Sequence, residues 1–157
     1  MQSFLPTPDF AETAALLDPR RLGKQRVEAL QIFRGLTIPT YGWRHHPAVK
    51  MWIGYEEALV RYGLEMCAAW TASGRADTCA LTLRTELNDV LKVRTPRLQA
   101  ELAAADELPP WLGDEALHRS HRSALLRKDP DYYSRYFDEP RDLPYVWPAS
   151  DRQRASA

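Results

Sequence analysis

The chain has 157 residues, enough for one domain with a sizeable core. Its 21 basic and 21 acidic residues give a formal net charge of zero, so only local patches, not the molecule as a whole, can attract a polyanion. Two cysteines without redox or zinc spacing argue against a disulfide framework, and the lack of a leader pattern or of about 18 consecutive apolar residues predicts a cytoplasmic protein with no membrane span.

In "PTPDFAETAALLD", Asp9 stands at an N-cap with Glu12 three positions on, an arrangement that predicts a short helix over 10–17. Asp18 as N-cap and Pro19 at the first helical position open a second helix to about Arg34, where Gly35 suits a left-handed close. The stretch "TIPTYGWRHHP" reads as a loop, because Pro39, Gly42 and Pro47 interrupt any regular pattern. Over 48–73, Val49, Trp52, Ile53, Leu59, Met66, Ala69 and Trp70 recur at helical spacing, which predicts one long core helix ended by Gly74. Asp77 can cap a further helix through Leu91, and a last helix is expected over 115–128, stopped by Asp129 and Pro130. The remainder is aromatic and then Pro-rich.

No alternating strand pattern, internal repeat or Gly-rich phosphate loop is present. The fold class is therefore all-α: a compact single domain over 1–145 with three main helices plus shorter ones, followed by an irregular aromatic segment and a flexible tail over 146–157.

The second helix carries an unusual charge pattern. Glu28 sits among Arg20, Arg21, Lys24 and Arg26, and Arg21 and Glu28, seven apart, lie within about 20° of one another around the axis, with Lys24 and Gln25 on the same face. Leu22, Ala29, Phe33 and Leu36 lie opposite, so the Glu28 face is expected to line a cleft or meet solvent. Two readings stand at this point: an ordinary surface pair between Glu28 and Lys24, or a carboxylate held where a negatively charged ligand must approach. "GWRHHPAVKMW" adds Arg44, His45 and His46, and "HRSHRSALLRK" adds His118, Arg119, His121 and Arg122 within one helical turn. His118 and His121 could share a metal with His45 and His46, or could belong to a basic face awaiting an anion; no carboxylate or cysteine stands at a supporting spacing. Arg127 and Lys128 lead into "DPDYYSRYF", where aromatics interleaved with cations suit either a polynucleotide or a hydrophobic anchor for the C-terminal segment.

Taken together, "LDPRRLGKQRVEALQ" with Glu28, the His-Pro start of "HHPAVKMW" and the helix leading into "PDYYSRYF" resemble the pyrimidine-dimer DNA glycosylase family over about residues 16–137. The resemblance implies a compact helical domain that acts on damaged duplex DNA as a glycosylase with linked AP-lyase activity, without metal or cofactor, as a monomer. It further implies that the amine of the chain terminus, here Met1, attacks the sugar and forms an imine while Glu28 is the catalytic glutamate. An α-amine titrates near 8, against about 10.4 for lysine, and so offers more free base at neutral pH. Gln2 departs from the family's small residue after the methionine, which leaves Met1 as the nucleophile, Lys24 as a fallback amine, or a branch whose lyase chemistry is changed. The expected substrate-binding set is Arg21, Lys24, Gln25, Arg44, His46, His121, Arg122, Lys128 and Tyr133. The alternatives are a non-catalytic DNA- or nucleotide-binding module on the same scaffold and a metal-dependent helical hydrolase using the histidines.

Overall fold

The computed structural model describes residues 1–154. Among these residues there are eight helices and no strand: α1 (Phe10–Leu16), α2 (Pro19–Thr37), α3 (Pro47–Lys50), α4 (Glu56–Ala72), α5 (Cys79–Leu91), α6 (Gln99–Ala104), α7 (Glu115–Lys128) and α8 (Pro130–Tyr133). The chain is all-α, as its sequence predicts.

Helix starts follow the capping chemistry closely. Asp9 accepts the N–H of Glu12 at 2.7 Å, Asp18 accepts that of Arg21, Asp114 that of Ala116, and Asp77 receives those of Cys79 and Ala80 at the head of α5. Helix ends follow it less well. Gly35 does not close α2, which continues to Thr37; it serves instead as a point of close approach, since a Cβ there would lie 2.9 Å from a methyl of Val49. The single helix expected over 48–73 is two helices. The chain breaks after α3, passes through Gly54 at φ +82°, a conformation outside the helical region, and restarts at Glu56; the Arg152 side chain lies against Gly54 where a Cβ would stand. Its apolar residues stay in register with the core across the break, so periodicity alone did not reveal it.

Helix α4 is the hub, packing against α1, α2, α5 and α6. The main core gathers Phe10, Ala29, Ile32, Trp52, Leu59, Tyr62, Met66 and Leu125, and a smaller cluster of Phe33, Val60, Leu64, Leu83 and Leu87 fastens α5 to α2 and α4. Residues 1–6 form no helix, yet Gln2 to Leu5 are buried, running between α2 and α7. Across residue 145 the chain continues along the body: Val146 N–H donates to Ser120, Ser150 to the Ile53 carbonyl, and Arg154 to the carbonyls of Gly35 and Arg44. Residues 155–157 of the expected tail lie outside the described residues.

Candidate active site

The first turn of α2 is tied down from the far end of the sequence. Asp18 takes an ion pair from Arg21 at 3.3 Å, and the hydroxyl of Tyr133 donates to the Asp18 carboxylate while accepting its backbone N–H at 3.0 Å. One turn further on, Gln25 and Glu28 point toward the N-terminal segment. Gln25 Nε2 donates to Glu28 Oε2 at 2.8 Å, and the backbone N–H of Gln2 donates to the same oxygen at 3.2 Å. Gln25 Oε1 accepts the N–H of Phe4 at 3.0 Å, and the buried Tyr62 hydroxyl lies between Gln25 Oε1 at 2.6 Å and the Phe4 carbonyl at 2.8 Å, with one proton to share.

Glu28 is only 7 % exposed, and its second oxygen faces Lys24 Nζ at 3.6 Å. The Lys24 side chain is 72 % exposed, so this contact is screened and worth a few tenths of a kcal/mol. The carboxylate is therefore not chiefly a surface partner for Lys24; it is held by an amide and by the backbone of the second residue.

Around Glu28 opens a pocket of about 330 Å³ lined by Met1, Gln2, Phe4, Arg20, Arg21, Lys24, Gln25, Lys128 and Tyr145. Four cations thus ring one carboxylate although the chain is neutral overall. Their crowding is felt at Lys128, whose pKa is lowered by burial first and then by Arg21 and Lys24, with Glu28 opposing. An anion arriving here relieves that repulsion, and phosphate is the natural candidate.

Met1, Arg21, Lys24, Gln25, Glu28 and Lys128 are brought together here; the other expected site residues are not among the pocket lining. Arg122 is occupied with Glu115, Glu139 and the Pro6 carbonyl. His121 and Tyr133 are fully buried: His121 Nδ1 accepts the N–H of Leu5, and Tyr133 serves Asp18. Burial explains both placements, since an aromatic element that plugs the start of α2 cannot also face a ligand. Arg44 lies in the loop before α3 and lends its carbonyl to Arg154. His46 caps α3, its Nδ1 accepting the Ala48 N–H at 3.0 Å; burial lowers its pKa, the positive chain terminus lowers it further and Glu28 opposes, so the ring sits within electrostatic reach of both.

Phe4 and Tyr145 are pocket residues the sequence reading passed over, while Arg20 and Gln2, which it named, stood outside the expected binding set. Tyr145 also begins a run of aromatic contacts leading away from the pocket, through Trp147 at 5.3 Å to His46 and Trp43, with both tryptophans exposed. The "PYVWP" stretch carried a signal for this, in an aromatic pair framed by prolines. His118 and His121 commit their Nδ1 atoms to Leu5, and among the described residues no group of three or more His, Cys, Asp or Glu could hold a metal ion. Nor, among these residues, is any helix long and apolar enough to cross a membrane.

A family model described as pyrimidine dimer DNA glycosylase matches residues 1–83, just over half of the chain. That stretch contains Met1, Arg21, Lys24, Gln25 and Glu28. Comparison with curated proteins and with solved structures returns no match.

Proposed function

The chain belongs to the pyrimidine dimer DNA glycosylase family, and from that premise we propose that the pocket beside Glu28 cleaves the N-glycosidic bond of a damaged pyrimidine nucleotide in duplex DNA, with linked strand scission through an amine-derived imine. The observation that carries the reading is the hydrogen bond from the Gln2 backbone to Glu28, one residue from the Met1 amine, with Met1 itself on the pocket wall.

In this reading the lone pair of the Met1 amine forms a bond to the sugar C1′, and the electrons of the C1′–N bond leave with the base. The charge that develops on C1′ is positive, and the Glu28 carboxylate, fixed by Gln25 and Gln2, is the fixed negative charge beside it. Opening of the sugar gives an imine between C1′ and the amine. Loss of a C2′ proton then expels the 3′ phosphate and breaks the strand. Arg20, Arg21, Lys24 and Lys128 meet backbone phosphates, which also shields the approaching polyanion from Glu28. The target nucleotide must leave the stack to reach the pocket, and the exposed faces of Trp43 and Trp147 offer surfaces to bases unstacked along the way.

Two amines compete for the role of nucleophile. Lys24 reaches Glu28 from a solvent-exposed position on the helix, whereas Met1 continues from a segment whose next four residues are buried. Met1 is therefore the better placed of the two, because the buried segment that follows it limits where its amine can go. Borohydride reduction tests this directly on an oligonucleotide duplex carrying an abasic site or a pyrimidine dimer. The expected result is a permanent protein–DNA crosslink on Met1, abolished by acetylating the terminus and spared by Lys24→Ala. Absence of a crosslink on either substrate, with DNA binding intact, would overturn the lyase reading and leave the non-catalytic binding module.

A further inference from the structure

The buried course of Gln2 to Leu5 is held at its inner end by two imidazoles of α7. His121 Nδ1 accepts the N–H of Leu5 at 2.9 Å, and His118 Nδ1 lies 2.8 Å from the carbonyl of the same residue. His118 Nε2 accepts the N–H of Gly113 at 2.9 Å, so its proton is on Nδ1 and is donated to Leu5. His121, accepting at Nδ1, carries its proton on Nε2. Spaced i and i+3, the two rings share one face of α7 and treat the Leu5 peptide as a neighbouring strand would, one accepting and one donating.

We infer that His118 and His121 are positioning residues for the amine at the chain start: by clamping both polar groups of Leu5 they fix the segment that lies along Glu28. The inference rests on the amine reading given above. From Leu5 outward each anchor leads to the next, Phe4 to Gln25 and Tyr62, then Gln2 to Glu28. With the Leu5 anchor released, only these outer bonds would hold a four-residue arm whose extended length is roughly 13 Å, so small shifts at its inner end reach the amine. A misplacement of about 1 Å at a reacting centre can lower a rate about a hundredfold, so the anchor has leverage on the chemistry without touching it.

Packing alone does not account for the choice of residue. The His121 ring is fully buried between Phe4, at 6.0 Å, and Tyr145, at 5.8 Å, where phenylalanine would fit the same apolar walls. Its Nε2 is buried and has no partner among the described residues. An unsatisfied donor is tolerated there so that the other nitrogen can receive a backbone N–H that would otherwise be orphaned. Both rings must be neutral to accept these bonds, and burial depresses both, His121 to about 3.

The test compares His121→Phe, which keeps the ring and removes the acceptor, with His121→Asn, whose Oδ1 falls near the position of Nδ1. At saturating abasic duplex, the crosslinking rate under borohydride is expected to fall about a hundredfold in His121→Phe and to recover most of that loss in His121→Asn, with DNA affinity and far-ultraviolet spectrum unchanged in both. Amide exchange at Leu5 and Phe4, measured without DNA, should accelerate in His121→Phe alone. Wild-type crosslinking by a folded His121→Phe, or equal loss in the two variants, would overturn the inference. If His121→Phe fails to fold, the same pair of measurements is made on His118→Leu against His118→Asn, whose amide keeps a donor for the Leu5 carbonyl. Should the wild-type protein give no crosslink, the amine reading falls, while amide exchange still decides whether the two imidazoles hold the segment.

Discussion

The carboxylate of Glu28 receives the backbone N–H of Gln2 at 3.2 Å, a contact between residues 26 apart in sequence that turns a charged helix face into the floor of a pocket. The same oxygen takes the Gln25 amide at 2.8 Å, so the group is oriented by neutral donors rather than neutralised by a cation. Exchange of Glu28 for glutamine removes the charge and keeps the shape. Glu28→Gln is expected to bind duplex DNA as the wild type does and to lose on the order of a hundred- to a thousand-fold in cleavage rate on a dimer-containing oligonucleotide. Cleavage at the wild-type rate would return Glu28 to the status of a helix-surface acid.

Salt dependence separates the pocket cations from the structural ones. Arg21, Lys24 and Lys128 line the pocket, and each one that meets a phosphate should contribute about 0.9 to the slope of log K against log salt. Lys128→Ala is therefore expected to flatten that slope by about one. Arg122→Ala should leave the slope unchanged and lower the melting temperature instead, because its guanidinium is spent on Glu115, Glu139 and the Pro6 carbonyl.

A buried pair outside the pocket lining ties α2 to the start of α5. Asp77, whose side chain is 2 % exposed, pairs with Arg26, caps α5 through the N–H groups of Cys79 and Ala80, and thereby supports the stack of Arg26 on Trp70 at 4.3 Å. Asp77→Ala leaves Arg26 largely buried without its partner and should destabilise the fold by about 3–5 kcal/mol. Chemical denaturation measures it, and Asp77→Asn, which retains the cap, is expected to lose less. Cleavage per folded molecule should be unaffected in both.

Acid should act first through the histidines. In the unfolded chain a histidine binds a proton as pH falls below about 6.5, while His121 in the folded protein stays neutral down to about 3, and His46 and His118 are lowered in the same direction. The unfolded state therefore gains protons first. Stability is complete above about pH 6.5 and is lost as pH falls toward 3, at up to about 1.4 kcal/mol per pH unit for His121 alone. Denaturation midpoints measured between pH 7 and 5 should slope accordingly, and His121→Phe should remove part of the slope. A flat profile across that range would mean these rings are not buried as neutral groups.

How far the sequence spoke depends on the range of the interaction. Asp9 and Asp18 act on amides three residues away, and the starts of the helices they cap were readable in the sequence, whereas the end of α2 was placed three residues early. Glu28 and its cations shared one face of one helix, so half of the pocket could be drawn from spacing alone. The rest depends on distant partners. Nothing local marks Gln2 to Leu5 as buried, because their donors and acceptors are met by Gln25, Tyr62, His118 and His121. The Arg152 side chain that packs against Gly54 comes from nearly a hundred positions on, and Tyr133 read as a stacking surface because its partner Asp18 is 115 residues upstream.

The bond from Leu5 to His121 spans 116 positions of sequence, and this sets an order of events during synthesis. Ribosomes add about 5–20 residues per second, so the first residues emerge on the order of ten seconds before the helix that receives them. Through that interval the segment around Leu5 is without the two imidazoles that α7 supplies. The pocket beside Glu28 is thus completed only after α7 and the residues beyond it have been made, since Lys128 and Tyr145 also line it.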